Sequence, residues 1–148
     1  MREILFRGKN IYNDWIYGYL CQHRGEPVMD NNGMVLEGSD YYIRDWAEKI
    51  DTGFYGCNYR VDPSTIGQYT GLTDKNGKKI FEGDVVKYKS GSTVLFHKVV
   101  FERRNGCAYF GVVVGENETW GFNNSFPSTL FEIVGNIHDN PELLEVDK

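Results

Sequence analysis

Three cysteines and three histidines are the residues that could hold a metal ion. Cys21 and His23 are separated by one residue, which would allow both to contact one ion. The other candidates are widely spaced: Cys57, His97, Cys107 and His138. Structural zinc sites use closely paired ligands, typically CxxC, and the chain contains no CxxC. We therefore predict no metal site and no organic cofactor.

A hydrolase would need a nucleophile, a base and an orienting acid. Cys107 or Ser64 could serve as nucleophile, with His97 as base and Asp84 as acid. The chain has no nucleophile elbow, no HExxH and no paired lysine and serine signature. Asp84 follows a glycine, where an aspartate commonly organises a turn by accepting backbone hydrogen bonds. We predict no catalytic residue, and a small hydrolase is the least supported function.

Residues 69–89 combine cationic side chains with aromatic rings. The candidate interaction surface comprises Tyr69, Lys75, Lys78, Lys79, Lys87, Tyr88 and Lys89. Lysines and aromatics on one β surface can bind single-stranded nucleic acid by neutralising phosphates and stacking on bases. Hairpin-tip lysines also keep a protein soluble and discourage edge-to-edge pairing. Asp74, Glu82 and Asp84 weaken the positive field, so we favour a protein partner and keep single-stranded nucleic acid as the alternative.

The composition is that of a soluble β-rich domain. The chain has 148 residues, of which 41% are hydrophobic and 25% charged. Aromatics make up 15%, and 17 glycines punctuate them, a pattern that favours strands over helices. The net charge is −5 at pH 7. A duplex-binding protein usually presents a basic face, so this balance argues against duplex binding.

The sequence predicts neither a secretory signal nor a membrane span. The first ten residues, MREILFRGKN, lack the apolar core of a secretory signal. No stretch approaches the roughly 20 apolar residues of a membrane span. An odd number of distant cysteines is typical of free thiols in a reducing compartment.

Alternating residues predict strands in the first part of the chain. Residues 15–20 read as a strand that is apolar on both faces, paired with residues 3–7 through a turn at 8–10. A hairpin is predicted for 27–36 around Asp30-Asn31-Asn32-Gly33. Residues 43–50 have apolar positions at helical spacing and predict a short helix. Trp46 is expected to anchor that helix in the core.

Asp62-Pro63-Ser64 breaks the chain and is the predicted subdomain boundary. Short strands follow, separated by turn signals such as Asn105-Gly106, and they predict a small barrel or sandwich. Residues 81–86 look like the strand entry of an SH3-like barrel, so the expected element is a small SH3-like barrel. Asn140 is expected to cap a short C-terminal helix that begins at Pro141. The segment 93–101 is long and apolar on both faces, so we expect it to promote association between copies.

Three segments together resemble the YopX family of small phage and prophage proteins: FRGK…W.YG.L near residues 6–20, IGQYTGLTDKNGKKIFEGDVV at 66–86, and IVGNIHDNPELL at 133–144. The residues that carry the resemblance are Trp15, Gly18, Thr65, Gly67, Gln68, Tyr69, Thr70, Gly71, Asp74, Gly77, Ile80, Glu82, Gly83, Asp84, Gly135, Asn136, Ile137, Asn140 and Pro141. The resemblance implies a phage or prophage origin, the bacterial host cytoplasm and a family fold. It carries no catalytic residue with it.

The predicted architecture is all-β with a short helix or two. Residues 1–62 form an N-terminal β subdomain with a variable segment, and residues 63–148 form the barrel-like subdomain. Both are expected to fold as one unit. The predicted function is a non-enzymatic accessory module that binds a protein, either a second copy of itself or a host or phage protein.

Overall fold

The computed structural model describes residues 3–24, 28–29, 35–36, 39–44, 58–116 and 118–145. This part of the chain contains thirteen β-strands, three short 3-10 helices and no α-helix. The all-β class predicted from the sequence is confirmed. No helix within these residues is long and apolar enough to cross a membrane.

Seven strands lie in or begin in the first half: β1 (Phe6–Lys9), β2 (Trp15–Arg24), β3 (Val28–Met29), β4 (Val35–Leu36), β5 (Ser39–Arg44), β6 (Asn58–Val61) and β7 (Gly67–Thr73). Six follow: β8 (Lys79–Phe81), β9 (Asp84–Ser90), β10 (Thr93–Arg104), β11 (Cys107–Gly115), β12 (Glu118–Gly121) and β13 (Phe131–Asn136). The chain divides into an N-terminal unit, Ile4–Gln68, and a C-terminal unit, Tyr69–Lys148 with Met1–Glu3. This division falls six residues after the boundary predicted at 62/63.

The N-terminal unit is an antiparallel sheet in the order β6-β5-β2-β1, continued beside β1 by the first residues of β7. Ile43 is fully buried and Val61 almost so, and they form the apolar face of this sheet. Gly18 lies against the backbone carbonyl of Arg44 and leaves no room for a side chain. Because this glycine is small, β2 and β5 can approach each other closely.

Of three predictions for the first 60 residues, one is confirmed and two are wrong at least in part. The turn at 8–10 is wrong, since β1 continues to Lys9 and the turn occupies the residues before Trp15. The 27–36 hairpin is confirmed in its paired strands β3 and β4. The helix at 43–50 is wrong at its start, where Ile43 and Arg44 belong to β5. The rest of that segment, including Trp46, lies outside the described residues.

The C-terminal unit is built on a five-stranded antiparallel sheet in the order β12-β11-β10-β9-β13. The last residues of β7 pair with β8 in a separate hairpin. The core consists of Ile80, Val86, Val99, Val112 and Phe131, all fully buried. The predicted small barrel is not closed, because β12 and β13 are the two edges of this sheet and do not pair with each other.

The closing segment differs from the predicted capped helix. Residues Pro141–Leu144 form a single 3-10 turn with proline in its first turn, and they are not part of an α-helix. Asn140 makes no side-chain cap; its amide oxygen instead lies against Gly135. A short irregular turn therefore replaces the helix, and it lies against β10.

Candidate functional site

The hairpin that joins β7 to β8 is organised by the carboxylate of Asp74. Its Oδ1 accepts hydrogen bonds from the backbone N–H groups of Asn76 and Lys78, at 2.8 and 2.9 Å. Its Oδ2 accepts one from the backbone N–H of Ile133 in β13, at 3.0 Å. Burial raises the pKa of Asp74, but these three donors outweigh it and hold the pKa below its usual value. The carboxylate thus fastens the hairpin to the closing strand.

The aromatic rings of the predicted interaction surface pack inside the C-terminal unit. Tyr69 is 7% exposed, and its ring centroid lies 5.5 Å from that of Phe81. Tyr88 is half-buried and contacts Phe126 and Phe131 at centroid distances of 5.6 and 5.5 Å. Neither ring is presented for stacking on a ligand.

The five lysines of that predicted surface occupy different environments. Lys79 forms an ion pair with Glu3 at 2.6 Å. Lys75 and Lys87 both form ion pairs with the carboxylate of Glu132, at 2.6 and 3.0 Å. Lys78 and Lys89 are exposed. Because β9 alternates, Lys87 and Lys89 lie on one sheet face and Tyr88 on the other. The structure therefore brings Lys75, Lys87 and Lys89 to one region and separates both tyrosines from them.

The residues that could form a hydrolytic site do not meet within the C-terminal unit. Cys107 is exposed at the tip of the β10–β11 hairpin, where it pairs with Arg104. His97 is buried on β10, seven residues before Arg104, and its Nδ1 lies 2.9 Å from the carbonyl oxygen of Val113. At about 3.3 Å per residue, the two side chains are roughly 20 Å apart. Asp84 accepts a hydrogen bond from the backbone N–H of Phe81 and has the turn-organising role expected of it.

No group of three or more side chains suited to metal binding occurs within the residues that the structure describes. Cys21 and Cys107 are free thiols, and Cys57 lies outside those residues.

A different surface lies on the face of the N-terminal sheet opposite Ile43. It consists of Trp15, Tyr17 and Tyr19 of β2 with Tyr42 of β5, and we call it the tyrosine face. Successive odd residues of β2 share one side, and Tyr42 is directly opposite Cys21 on that same side. Tyr17 and Tyr19 are each 47% exposed. Although the sequence of this strand is apolar on both faces, these two side chains are not buried.

Two cations hold Trp15 at one end of the tyrosine face. Arg7 lies opposite Tyr17 and Lys9 opposite Trp15. The Arg7 guanidinium carbon is 4.6 Å, and the Lys9 ammonium 5.3 Å, from the Trp15 ring centroid. Lys9 also donates to the side-chain oxygen of Asn13 at 2.9 Å. Cation–π contacts of partly desolvated groups contribute about 1 kcal/mol each, so the indole has a fixed position.

Comparison with known proteins identifies the family of this chain. A sequence model of the YopX protein family matches residues 6–145, which is nearly the whole chain. The chain belongs to the YopX family. The resemblance seen in its three motif segments is thereby confirmed.

One solved structure similar to this YopX chain is described as the crystal structure of protein EF1440 from Enterococcus faecalis. The two sequences are 22% identical, the match covers 97% of this chain and 99% of that one, and the TM-score is 0.49. A comparison with curated proteins finds no match.

Several motif residues of this YopX protein have a structural role. Gly77 and Gly83 adopt φ values of 79° and 83°, which L side chains rarely adopt. The side-chain oxygen of Asn136 accepts hydrogen bonds from the backbone N–H groups of His138 and Asp139. With the Asp74 contacts, these features account for much of the motif without a ligand.

Sequence reasoning did not identify the tyrosine face as a site. The alternation of Trp15, Tyr17 and Tyr19 places them on one side of a strand, which could have suggested a row of aromatic side chains. What the alternation does not reveal is which side of the sheet faces the core. That depends on the pairing of β2 with β5 and on the burial of Ile43, contacts distant in sequence.

Proposed function

We propose that this YopX protein is a non-enzymatic protein-binding module of phage or prophage origin, and that the tyrosine face is its contact surface. It acts in the cytoplasm of the bacterial host, on another protein or on a second copy of itself. The observation that carries the proposal is the adjacent exposure of Tyr17 and Tyr19, each at 47%, on a regular strand.

Tyrosine is among the residues that contribute most to protein interfaces. A tyrosine offers a large apolar ring with a hydroxyl that can form a hydrogen bond, and it loses little conformational entropy on binding. Interface energy is concentrated in a few such anchors, whose removal costs about 2 kcal/mol or more. Tyr17 and Tyr19 are held on one strand between β1 and β5, so the two rings are already positioned for a partner.

The charges beside the tyrosine face favour a protein over a nucleic acid at this surface. Arg7 and Lys9 are only 6% and 7% exposed, and both lie against Trp15. Arg60 is exposed but forms an ion pair with Asp40 at 2.7 Å. Phosphate binding needs cations that can replace counterions at the backbone. Tyr17 and Tyr19, each 47% exposed, carry no such charge.

Site-specific photo-cross-linking tests the proposal. A photoreactive phenylalanine analogue replaces Tyr19 in one variant and Tyr12 in a control variant. Tyr12 is 78% exposed and is not part of the tyrosine face. We expect Tyr19 to yield one adduct of defined mass in host cells and Tyr12 to yield none. The partner, identified from the adduct, must then bind the purified YopX protein in isolation.

Two results would contradict the proposal. Equal adducts from both positions would mean that the tyrosine face has no special role. Adducts that disappear on nuclease treatment would mean that nucleic acid, and not protein, occupies it.

A further inference from the structure

One face of the C-terminal sheet gathers cations from two strands and a turn. On β9, Lys87 lies directly opposite Phe96 of β10, and Lys89 lies opposite Val94. Lys98 follows on β10, two residues after Phe96 and therefore on the same face. β13 is the other neighbour of β9, and its Glu132 lies directly opposite Lys87 on the same face. We call this set the lysine face: Lys75, Lys87, Lys89, Lys98, Phe96, Val94 and Glu132.

The lysine face carries more positive than negative charge. Glu132, the carboxylate of this set, pairs with both Lys75 and Lys87. Hydrogen bonds from those two lysines hold the pKa of Glu132 below its usual value, so it is fully ionised near pH 7. Within the described residues Lys89 and Lys98 form no ion pair. Four lysines against one glutamate leave a local excess of three positive charges.

Apolar side chains separate these cations. Val94 is 41% exposed, and Phe96 is half-buried. In an antiparallel sheet, side chains directly opposite each other have Cβ atoms about 5 Å apart, so Lys87 and Phe96 are neighbours, as are Lys89 and Val94. A ligand that lies on this face meets cations and apolar surface alternately.

We propose that the lysine face binds single-stranded nucleic acid. Lys89 and Lys98 contact phosphates, and the bases lie against Val94 and Phe96. A single strand supplies both the charges and the exposed bases that such a face recognises, whereas a duplex presents its phosphates and keeps its bases stacked. This second site is independent of the tyrosine face and goes beyond the proposed protein-binding function.

The net charge of −5 does not decide against this site. At physiological salt, charges are screened beyond about 8 Å, so a bound strand responds mainly to the residues that it touches. Glu132 limits the affinity, because its carboxylate holds Lys75 and Lys87 and repels phosphate. The site therefore differs from the surface predicted from sequence: Lys98 and Phe96 belong to it, and Tyr69, Tyr88, Lys78 and Lys79 do not.

Fluorescence anisotropy with a labelled thirty-nucleotide oligo-dT tests the proposal. We expect binding at 50 mM salt that weakens roughly tenfold by 200 mM, the loss that two or three phosphate contacts give. Replacing Lys89 and Lys98 together by Glu should lower the affinity about tenfold or more. The control pair Lys78→Glu with Lys79→Glu should change it less than about twofold, because both lysines lie outside the face. Melting temperatures confirm that each variant is folded.

The substitution Glu132→Gln should change the affinity in the opposite direction. It removes the competing carboxylate and releases Lys75 and Lys87, so the affinity for oligo-dT should rise. A purely structural role for Glu132 would give unchanged or weaker binding. Tyr17→Ala with Tyr19→Ala should leave oligo-dT binding unchanged, which separates this test from that of the proposed function.

Each of four outcomes would overturn the proposal. They are the absence of oligo-dT binding at 50 mM salt, full binding by the Lys89 and Lys98 variant, equal affinity for a duplex of the same length, and equal competition by poly-glutamate. The last would assign the face to an acidic protein segment.

Discussion

At the residue scale, Asp74 shows how a motif side chain can be explained by the fold. Its turn was predictable, because Asp74, Asn76 and Gly77 are residue types that adopt turn conformations, and Gly77 does so at φ 79°. The bond from Ile133 to Asp74 was not predictable, since it depends on a strand 59 residues later reaching the same carboxylate. The residue types therefore predict the turn but not its connection to β13.

We expect Asp74→Asn to lower the free energy of unfolding by about 2 kcal/mol at pH 7, the usual contribution of hydrogen bonds to a buried charged group. An asparagine keeps one acceptor oxygen, but its NH2 group would face the N–H of Ile133 or those of the turn. Chemical denaturation of both proteins measures the difference. The exposed Lys78→Ala serves as control and should change stability by less than about 0.5 kcal/mol.

The Asp74 carboxylate also predicts a pH dependence. Its pKa is lower in the folded chain than in the unfolded one, so its contribution is fully present above the unfolded value of about 3.9. The contribution is lost as the pH falls through the folded pKa. The stability difference between the wild type and Asp74→Asn should therefore shrink from pH 7 to pH 3. A difference that stays constant over that range would contradict this account of the carboxylate.

At the scale of elements, the strands and turns were largely predictable and the faces were not. Alternation and the Asn105-Gly106 turn marked the β10–β11 hairpin, and both turn residues have positive φ. The 93–101 segment has apolar residues on both sides, so its pattern could not show which side is buried. In the structure His97 and Val99 on one side are buried, while Val94 on the other side is 41% exposed. Which side is buried depends on how the neighbouring strands pack against β10.

Two glycines of β11 should respond differently to the same substitution. A side chain at Gly111 would collide with the backbone carbonyl of Trp120 in β12. A side chain at Gly115 would come no closer than 3.9 Å to Glu118. We expect Gly111→Ala to destabilise by about 2 kcal/mol or more, because backbone atoms cannot move aside, and Gly115→Ala to be nearly neutral. Thermal unfolding of the pair measures this, and equal melting temperatures would show that β11 and β12 are not so closely paired.

At the scale of the whole molecule, the family was predictable from the sequence and the candidate sites were not. The motif segments were enough to indicate the YopX family, which the match over residues 6–145 confirms. The candidate sites could not be predicted in the same way. The lysine face forms because β13 pairs with β9. The tyrosine face is exposed because the opposite side of its sheet, which carries Ile43, is the buried side.

We expect the protein to associate with itself at micromolar concentrations. Val94, Phe101 and Trp120 of the C-terminal unit are each more than 40% exposed, and exposed apolar side chains favour contacts between copies. Multi-angle light scattering should give a mass above the 17.0 kDa of one chain that rises with concentration. A constant mass of one chain across this range would reject self-association.

One binding measurement tests the central claim most directly. The cross-linked partner is purified, and its affinity is measured for a variant that carries both Tyr17→Ala and Tyr19→Ala. Loss of two interface anchors should weaken binding about thirtyfold or more, which corresponds to roughly 2 kcal/mol. The melting temperature should hardly change, since both rings are half exposed, and Tyr12→Ala should bind like the wild type. Unchanged affinity in a folded double variant would contradict the assignment of the tyrosine face as the binding surface.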